Sequence, residues 1–249
     1  KTTVTARTLQ GYDIAALQYL YGASTSVQAQ SYSFGAGDTL SATLWNPNAG
    51  SAIDLSNQSG TNFVDLRAGK RSSINIVDPY SDMPFTKAQY AALKSGGRLI
   101  SSIIGKPTYT GKDNLLIAAG SQFTVATGGS GTDTLVGNTV GGTLDGGDGD
   151  DRLFWTGGDM TLTGGLGSDT AFLKSVAGAV WTVAADGSGA LLRKTNPTTK
   201  VVTTLATVSF SGVESVRYWN GTTYAATGKV LYAAPAASPA PAPTLSAVA

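Results

Sequence analysis

Short runs of alternating apolar and polar residues recur along most of the chain, as expected for half-buried β-strands. The runs are separated by Gly, Asn, Asp and Pro, which favour turns. The pattern therefore predicts a mostly β chain. The clearest runs are TLSATLW, AIDL, NFVDL, GRLISSI, AVWTVAA, ALLRK and KVVTTLATVSF.

Two segments instead have the spacing of short helices. In YDIAALQYLYG, apolar residues recur at helical intervals between Asp13, which is predicted to be the N-cap, and Gly22, which is predicted to end the helix. In TKAQYAALKSGG, Thr86 and Gln89 form a capping-box pattern, so a second helix is predicted near residues 86–96.

A repeat occupies residues 128–173. The motifs GGSGTD, GGDGDD and GGLGSD begin at Gly128, Gly146 and Gly164, which are 18 residues apart. In a nine-residue register, a Gly/Asp turn precedes each short strand, and this pattern predicts a parallel β-roll with 18 residues per coil. The eighth position of each unit would then stack in the core, and its occupants are Leu135, Leu144, Leu153, Leu162 and Ala171.

The three complete motifs should lie on one edge of this roll, because alternate turns lie on opposite edges. Two gaps between neighbouring loops result, and each can bind a hard cation through aspartate and carbonyl oxygens, as calcium prefers. We therefore expect about two calcium ions. The candidate metal-binding residues are Asp133, Asp151 and Asp169 with Gly128, Ser130, Gly131, Gly146, Asp148, Gly149, Gly164, Leu166 and Gly167. The opposite edge, with GNTVGG and TGGDMT, should bind few or none.

Three alternatives are open for this stretch. A disordered Gly/Asp linker would not keep leucines in register. A roll that folds without metal would leave stacked aspartates repelling one another. Acid pairs such as Asp148 with Asp150 could act in acid–base catalysis, but calcium ligation explains them more simply.

Composition narrows the chemistry. The chain has no His and no Cys, which removes the commonest general base and the usual zinc ligands. We therefore predict neither zinc nor a catalytic site in this chain. The net charge of +1 is dispersed, so no nucleic-acid partner is expected. No apolar run approaches the roughly 20 residues of a membrane-spanning helix.

The nonapeptides resemble those of the repeats-in-toxin (RTX) family of secreted calcium-binding proteins. YDIAALQYLYGA further resembles the helix that follows the catalytic zinc site in serralysin-type metalloproteases of the metzincin class. LSATLWNPNAGSAIDLS resembles the segment that opens their C-terminal β domain, and VDLRAGKRSSI and LLIAAGSQFTVATGGSGTDTLVGN continue the likeness in the same order. The resemblance covers residues 9–173.

The chain also departs from that family. Its zinc motif, HExxHxxGxxH, cannot be present without histidine, and its Met-turn is missing. Asn46, Pro47 and Asn48 stand where the family has acids after the tryptophan, so the carboxylates of a further cation site are lost there. Residues Gly212 to Glu214 in FSGVESVRYWNG are interpreted as a structural strand and turn.

The predicted fold class is all-β: a parallel β-roll with flanking β-sandwich-like strands and two short helices. The predicted division is 1–30, resembling the end of a protease domain; 31–127, a first β region with the helical insertion; 128–173, the roll; 174–232, a C-terminal β region; and 233–249, a Pro/Ala-rich tail. Because the chain begins at Lys1 without a signal peptide, it is interpreted as a piece of a longer protein.

Three function classes follow. The resemblance implies the non-catalytic, calcium-binding C-terminal region of a secreted bacterial protein, supporting calcium-dependent folding and type I secretion; its parent would be a zinc metalloendopeptidase. The alternative is an extracellular structural or interaction subunit, such as a surface-layer, adhesin or assembly component. The third is an enzyme with unrecognised carboxylate chemistry. The expected partners are the missing N-terminal segment or another extracellular protein.

Overall fold

A computed structural model of the chain describes residues 8–24, 27–36, 38, 40–76 and 110–219, and the backbone of 224–230. The predicted helix near 86–96, the GRLISSI strand and the Pro/Ala-rich tail lie outside these ranges. The described part has one helix, α1 (Gly11–Tyr21), and is otherwise built of strands, so the all-β prediction is confirmed. The strands are β1 (Ser31–Ser33), β2 (Ala42–Leu44), β3 (Ser51–Asp54), β4 (Thr61–Asp65), β5 (Arg71–Ile76), β6 (Leu115–Ile117), β7 (Phe123–Thr127), β8 (Thr134–Val136), β9 (Gly142–Asp148), β10 (Arg152–Trp155), β11 (Met160–Leu166), β12 (Thr170–Leu173), β13 (Ala179–Val183), β14 (Gly189–Thr195), β15 (Val202–Ser211), β16 (Ser215–Trp219) and β17 (Tyr224–Val230).

Helix α1 forms where the apolar spacing predicts it, but its N-cap differs from the prediction. The cap is Gln10, and Asp13 lies inside the first turn. The Oδ2 atom of Asp13 accepts a hydrogen bond of 3.0 Å from the Gln10 amide, so the carboxylate caps the helix from its third position. Gly22 ends the helix as predicted, with a φ of 78°. Within the described ranges, no helix is long and apolar enough to cross a membrane.

The strands form two mixed sheets. The first has the order β1-β3-β7-β9-β11-β15-β14-β13, and the second has the order β17-β16-β12-β10-β8-β4-β5-β6-β2. From β7 to β12 the chain visits the two sheets alternately and pairs in parallel each time it returns. Leu144 pairs with Leu162 in the first sheet, and Leu135 pairs with Leu153 in the second. Both registers advance by the 18 residues of the sequence repeat.

The same winding extends beyond the three complete motifs. One further coil precedes them, since β3 pairs in parallel with β7 and β4 with β8. Another follows them, since β15 pairs in parallel with β11 and β16 with β12. Insertions separate these outer coils from the repeat: residues 66–122, which include β5 and β6, and residues 174–201, which include the β13–β14 hairpin.

The core lies between the two sheets. In the first sheet the stacked inward side chains are Ile53, Ala126, Leu144, Leu162 and Phe210. In the second they are Val64, Leu135, Leu153, Ala171 and Val216. All ten are buried. The core thus fixes the stacking of the coils, and with it the stacking of the turns along each edge.

Candidate metal centre

Five polar residues stack along the edge where the chain passes from the first sheet to the second. Each of them directly precedes a strand of the second sheet, and the strand registers align all five. They are Asn62, Asp133, Asp151, Asp169 and Glu214. We call this stack the carboxylate ladder.

Hydrogen bonds connect the ladder from one coil to the next. The backbone N–H of Asn62 donates to Asp133 Oδ1 over 2.7 Å, and that of Asp133 donates to Asp151 Oδ1 over 2.7 Å. The N–H of Asp151 donates to Asp169 Oδ1 over 2.8 Å. The N–H of Asp169 donates to Glu214 Oε2 over 2.6 Å. One oxygen of every carboxylate is therefore used by the neighbouring coil.

The second oxygen of three of these carboxylates has no such partner. Asp151 and Asp169 are fully buried, and Glu214 is 8% exposed. Within the described residues, Asp151 Oδ2, Asp169 Oδ2 and Glu214 Oε1 accept no hydrogen bond. Burying a polar atom without a partner is unfavourable, and burying an ionised carboxylate this way is more so. Three such atoms in one stack indicate a ligand that supplies positive charge.

Asp133 is the exception. Its Oδ1 also accepts a hydrogen bond of 2.9 Å from the Asn62 side-chain amide, and its Oδ2 accepts one of 2.8 Å from the Gly129 N–H. Both oxygens of Asp133 are thus satisfied by protein donors. The ladder has a hydrogen-bonded end at Asn62 and an end with an unpartnered oxygen at Glu214.

Loop carbonyls face the unpartnered oxygens across the first glycine of each motif. A Cβ on Gly146 would lie 2.2 Å from Asp151 Oδ2 and 2.6 Å from the Gly164 carbonyl oxygen. A Cβ on Gly164 would lie 2.4 Å from Asp169 Oδ2 and 1.9 Å from the Gly212 carbonyl oxygen. Two acceptor oxygens therefore converge on one point with no hydrogen between them. A hard cation stabilises this arrangement.

The electrostatics of the ladder agree with this geometry. Burial raises the pKa of Asp151 to about 7, against the opposing hydrogen bond from the Asp133 amide and with help from the charges of Asp133 and Asp169. Burial likewise raises the pKa of Asp169 to about 6, and Glu214 adds to the effect. The pKa of Asp133 is also raised by burial, opposed by its bonds from Gly129 and Asn62. The ionised ladder is therefore unfavourable without a counter-charge.

The other predicted site residues lie in the same loops but contribute through the backbone. The side chains of Ser130, Asp148 and Leu166 are exposed. The Leu166 carbonyl accepts a hydrogen bond of 2.7 Å from the Gly149 N–H. Gly131, Gly149 and Gly167 stack closely, since a Cβ on Gly149 would lie 2.5 Å from the Gly131 oxygen and one on Gly167 would lie 2.2 Å from the Gly149 oxygen.

Gly128, the first glycine of the first motif, repeats the geometry of Gly146, because its Cβ would lie 2.1 Å from the Gly146 oxygen and 2.6 Å from Asp133 Oδ2. The loops thus bring together all three predicted aspartates with the glycine carbonyls of adjacent coils. No group of three or more His, Cys, Asp or Glu side chains in the described ranges could hold a metal ion. A cation on this edge would have to take its other ligands from the carbonyls.

Sequence reasoning did not identify Asn62 and Glu214 as ladder residues, although a weak signal exists for each. SGTNFV, which ends at Val64, matches the spacing of SGTDTL in the first motif, with Asn62 in place of Asp133. Glu214 stands two residues before the buried Val216, as the motif aspartates stand before their core residue. The interpretation of Glu214 as merely a turn residue overlooked this alignment.

The Trp45 segment is held by amides where the resembling family has acids. Asn46 is fully buried, and its side-chain amide donates to the Gln28 carbonyl over 2.8 Å. Its Oδ1 accepts a hydrogen bond of 3.0 Å from the Asn48 N–H. Asn46 therefore closes this turn with its own donor and acceptor. Neither a scan against models of known protein families nor a search of curated proteins returned a match for this chain.

Proposed function

We propose that this chain is the non-catalytic, calcium-binding β region of a secreted, serralysin-like bacterial protein. The observation that carries the proposal is the row of buried carboxylate oxygens, on Asp151, Asp169 and Glu214, that accept no hydrogen bond within the described residues. Their position on the turn edge of an 18-residue repeat matches the oxygen-rich, flexible coordination that calcium accepts.

Two ions are proposed for the gaps among the three complete loops, 128–133, 146–151 and 164–169. Asp151 and Asp169 would each provide an oxygen, and the glycine carbonyls that face them would provide others. Bound calcium would supply the positive charge that offsets the buried carboxylates. The chain itself contributes the alignment, because the stacked core residues hold the loops in register.

Calcium binding of this kind would couple to folding. The ladder exists only when the coils are stacked, so the free energy of binding adds to the free energy of folding. In a cytosol poor in calcium the repeat would be unstable and easy to thread through a secretion channel. In a calcium-rich medium the coils would become stable. Calcium-dependent folding after type I secretion is the role that we propose.

The Asp151→Ala substitution tests this proposal. Asp151 belongs to the middle loop and borders both gaps, so we expect its loss to weaken both sites, by at least about tenfold, or roughly 1.4 kcal/mol each. Asp133→Ala should weaken chiefly one. Isothermal titration of the full chain with calcium measures both. Asp186→Ala, which removes a carboxylate from the exposed β13–β14 turn, is the control.

Unchanged calcium affinity in the Asp151→Ala protein would contradict the proposal. So would a wild-type chain that binds no calcium at millimolar concentration. An equal loss in the Asp186→Ala protein would show that net charge, and not the ladder, determines binding.

A further inference from the structure

We infer that Glu214 completes a third cation site, between the 164–169 loop and the short turn formed by residues 212–214. The inference rests on the proposed function, because it assumes that the ladder binds calcium. It adds a ligand and an ion that the three GGxGxD motifs do not provide.

The short turn replaces a complete loop without losing its place in the stack. Thr163 pairs with Ser211 in the first sheet, and Thr170 pairs with Ser215 in the second. Six residues, 164–169, therefore connect the sheets in one coil, whereas three residues, 212–214, connect them in the next. Gly212 aligns with Gly164 and Glu214 aligns with Asp169.

The change from Asp to Glu fits the shorter turn. The longer side chain still brings a carboxylate oxygen, Oε2, to the Asp169 amide at 2.6 Å. The ladder geometry is thus kept although the loop has lost three residues. A turn with only a structural role would not need a buried acid here, since a neutral side chain can accept the same hydrogen bond.

The oxygen atoms of this gap match those of the complete loops. Glu214 is 8% exposed, and its Oε1 accepts no hydrogen bond from the described residues. On the other side, Asp169 Oδ2 and the Gly212 carbonyl oxygen both lie within 2.4 Å of the point where a Cβ on Gly164 would stand. Two unpartnered carboxylate oxygens and a carbonyl therefore border this gap.

The opposite end of the ladder shows what a gap without a cation looks like. There the neutral Asn62 provides two hydrogen bonds to Asp133 Oδ1, and Gly129 provides one to Oδ2. Every carboxylate oxygen is satisfied by a donor. The ladder therefore binds cations asymmetrically, toward its Glu214 end, with three ions expected in total.

A cation in the third gap would join the outer coil to the repeat. β15 and β16 return to the sheets after the 174–201 insertion, and Glu214 is the ladder residue at their junction. Calcium should therefore slow amide exchange in β16 as well as in the repeat strands. This readout is local to the proposed site.

The Glu214→Gln substitution in the full chain tests the inference with calcium alone as the probe. Glutamine is close in size and can still accept the Asp169 hydrogen bond, but it lacks the charge. We expect three calcium ions per wild-type chain and two per variant, by native mass spectrometry and isothermal titration. The affinities of the other two sites should stay within about twofold. Asp186→Asn is the matched control and should keep three.

A second measurement guards against misfolding. In a chelator, Glu214→Gln should be no less stable to urea than the wild type, because it removes a buried charge; in calcium it should be less stable. Two ions in both proteins, with unchanged β16 exchange, would overturn the third site and leave the proposed function standing. Loss of all three ions in the variant would overturn the assignment to a local site. A wild-type chain that binds no calcium would refute the proposed function itself.

Discussion

Replacing Gly146 by alanine is expected to abolish calcium binding at the centre of the ladder and to destabilise the coils severely. The added Cβ would lie 2.2 Å from Asp151 Oδ2 and 2.6 Å from the Gly164 carbonyl oxygen. One of these contacts is to backbone that is fixed between two stacked coils, so it cannot relax cheaply. The methyl group would also occupy the space where the two oxygens converge. We expect a cost at or above the upper end of the ~1–3 kcal/mol typical of overpacking.

Gly69→Ala is the matched control. Gly69 has a φ of 77°, and a Cβ there would meet no atom within 4 Å. Its substitution introduces backbone strain alone, about 1–2 kcal/mol. Urea unfolding in calcium and in chelator measures both variants. If Gly146→Ala were no more costly than Gly69→Ala, or bound calcium as the wild type does, the proposed site beside Gly146 would be wrong.

The pH dependence of stability is expected to change sign with calcium. The pKa values of Asp151 and Asp169 are raised to about 7 and about 6 in the folded chain, from an ordinary value of 3.8. The folded state therefore binds protons more tightly than the unfolded state. In a chelator this contribution to stability is fully present below pH 3.8 and is lost as the pH rises through 6 and 7.

With calcium the same two groups should give the opposite slope. Calcium requires the ionised carboxylates and competes with protons for them, so its stabilisation should weaken on acidification from neutral pH toward 5. Urea unfolding at several pH values, with and without calcium, measures both slopes. Asp151→Asn should flatten both. Parallel curves in calcium and in chelator would contradict the assignment of these carboxylates as ligands.

The nonapeptide register predicted the part of the fold that depends on local spacing. Leu135, Leu144, Leu153 and Leu162 are buried and stacked because an apolar residue every nine positions is compatible with only one winding of the chain. The common edge of Asp133, Asp151 and Asp169 follows from the same period. These features need no information about distant segments.

The outer coils could not be predicted in the same way. Asn62 and Glu214 reach the ladder through pairing with strands far away in sequence, across insertions of variable length. Their turns have also lost the glycines that make the motif visible: NQSGTN keeps one glycine, and the 212–214 turn is shortened to GVE. Register in the sheets, rather than local pattern, places them. The helix cap was misassigned for a related reason, since an aspartate can cap from the N-cap or from the first turn.

Thermal unfolding of the wild-type chain, followed by circular dichroism in chelator, in magnesium and in calcium, tests calcium-dependent stability most directly. At about 10 mM calcium, roughly ten times the dissociation constant of weak extracellular calcium modules, each site should contribute about 1.4 kcal/mol. We expect Tm to rise with calcium concentration, and much less with magnesium, which demands a more rigid octahedral site. An identical Tm in chelator and in calcium would show that the ladder is stable without a cation.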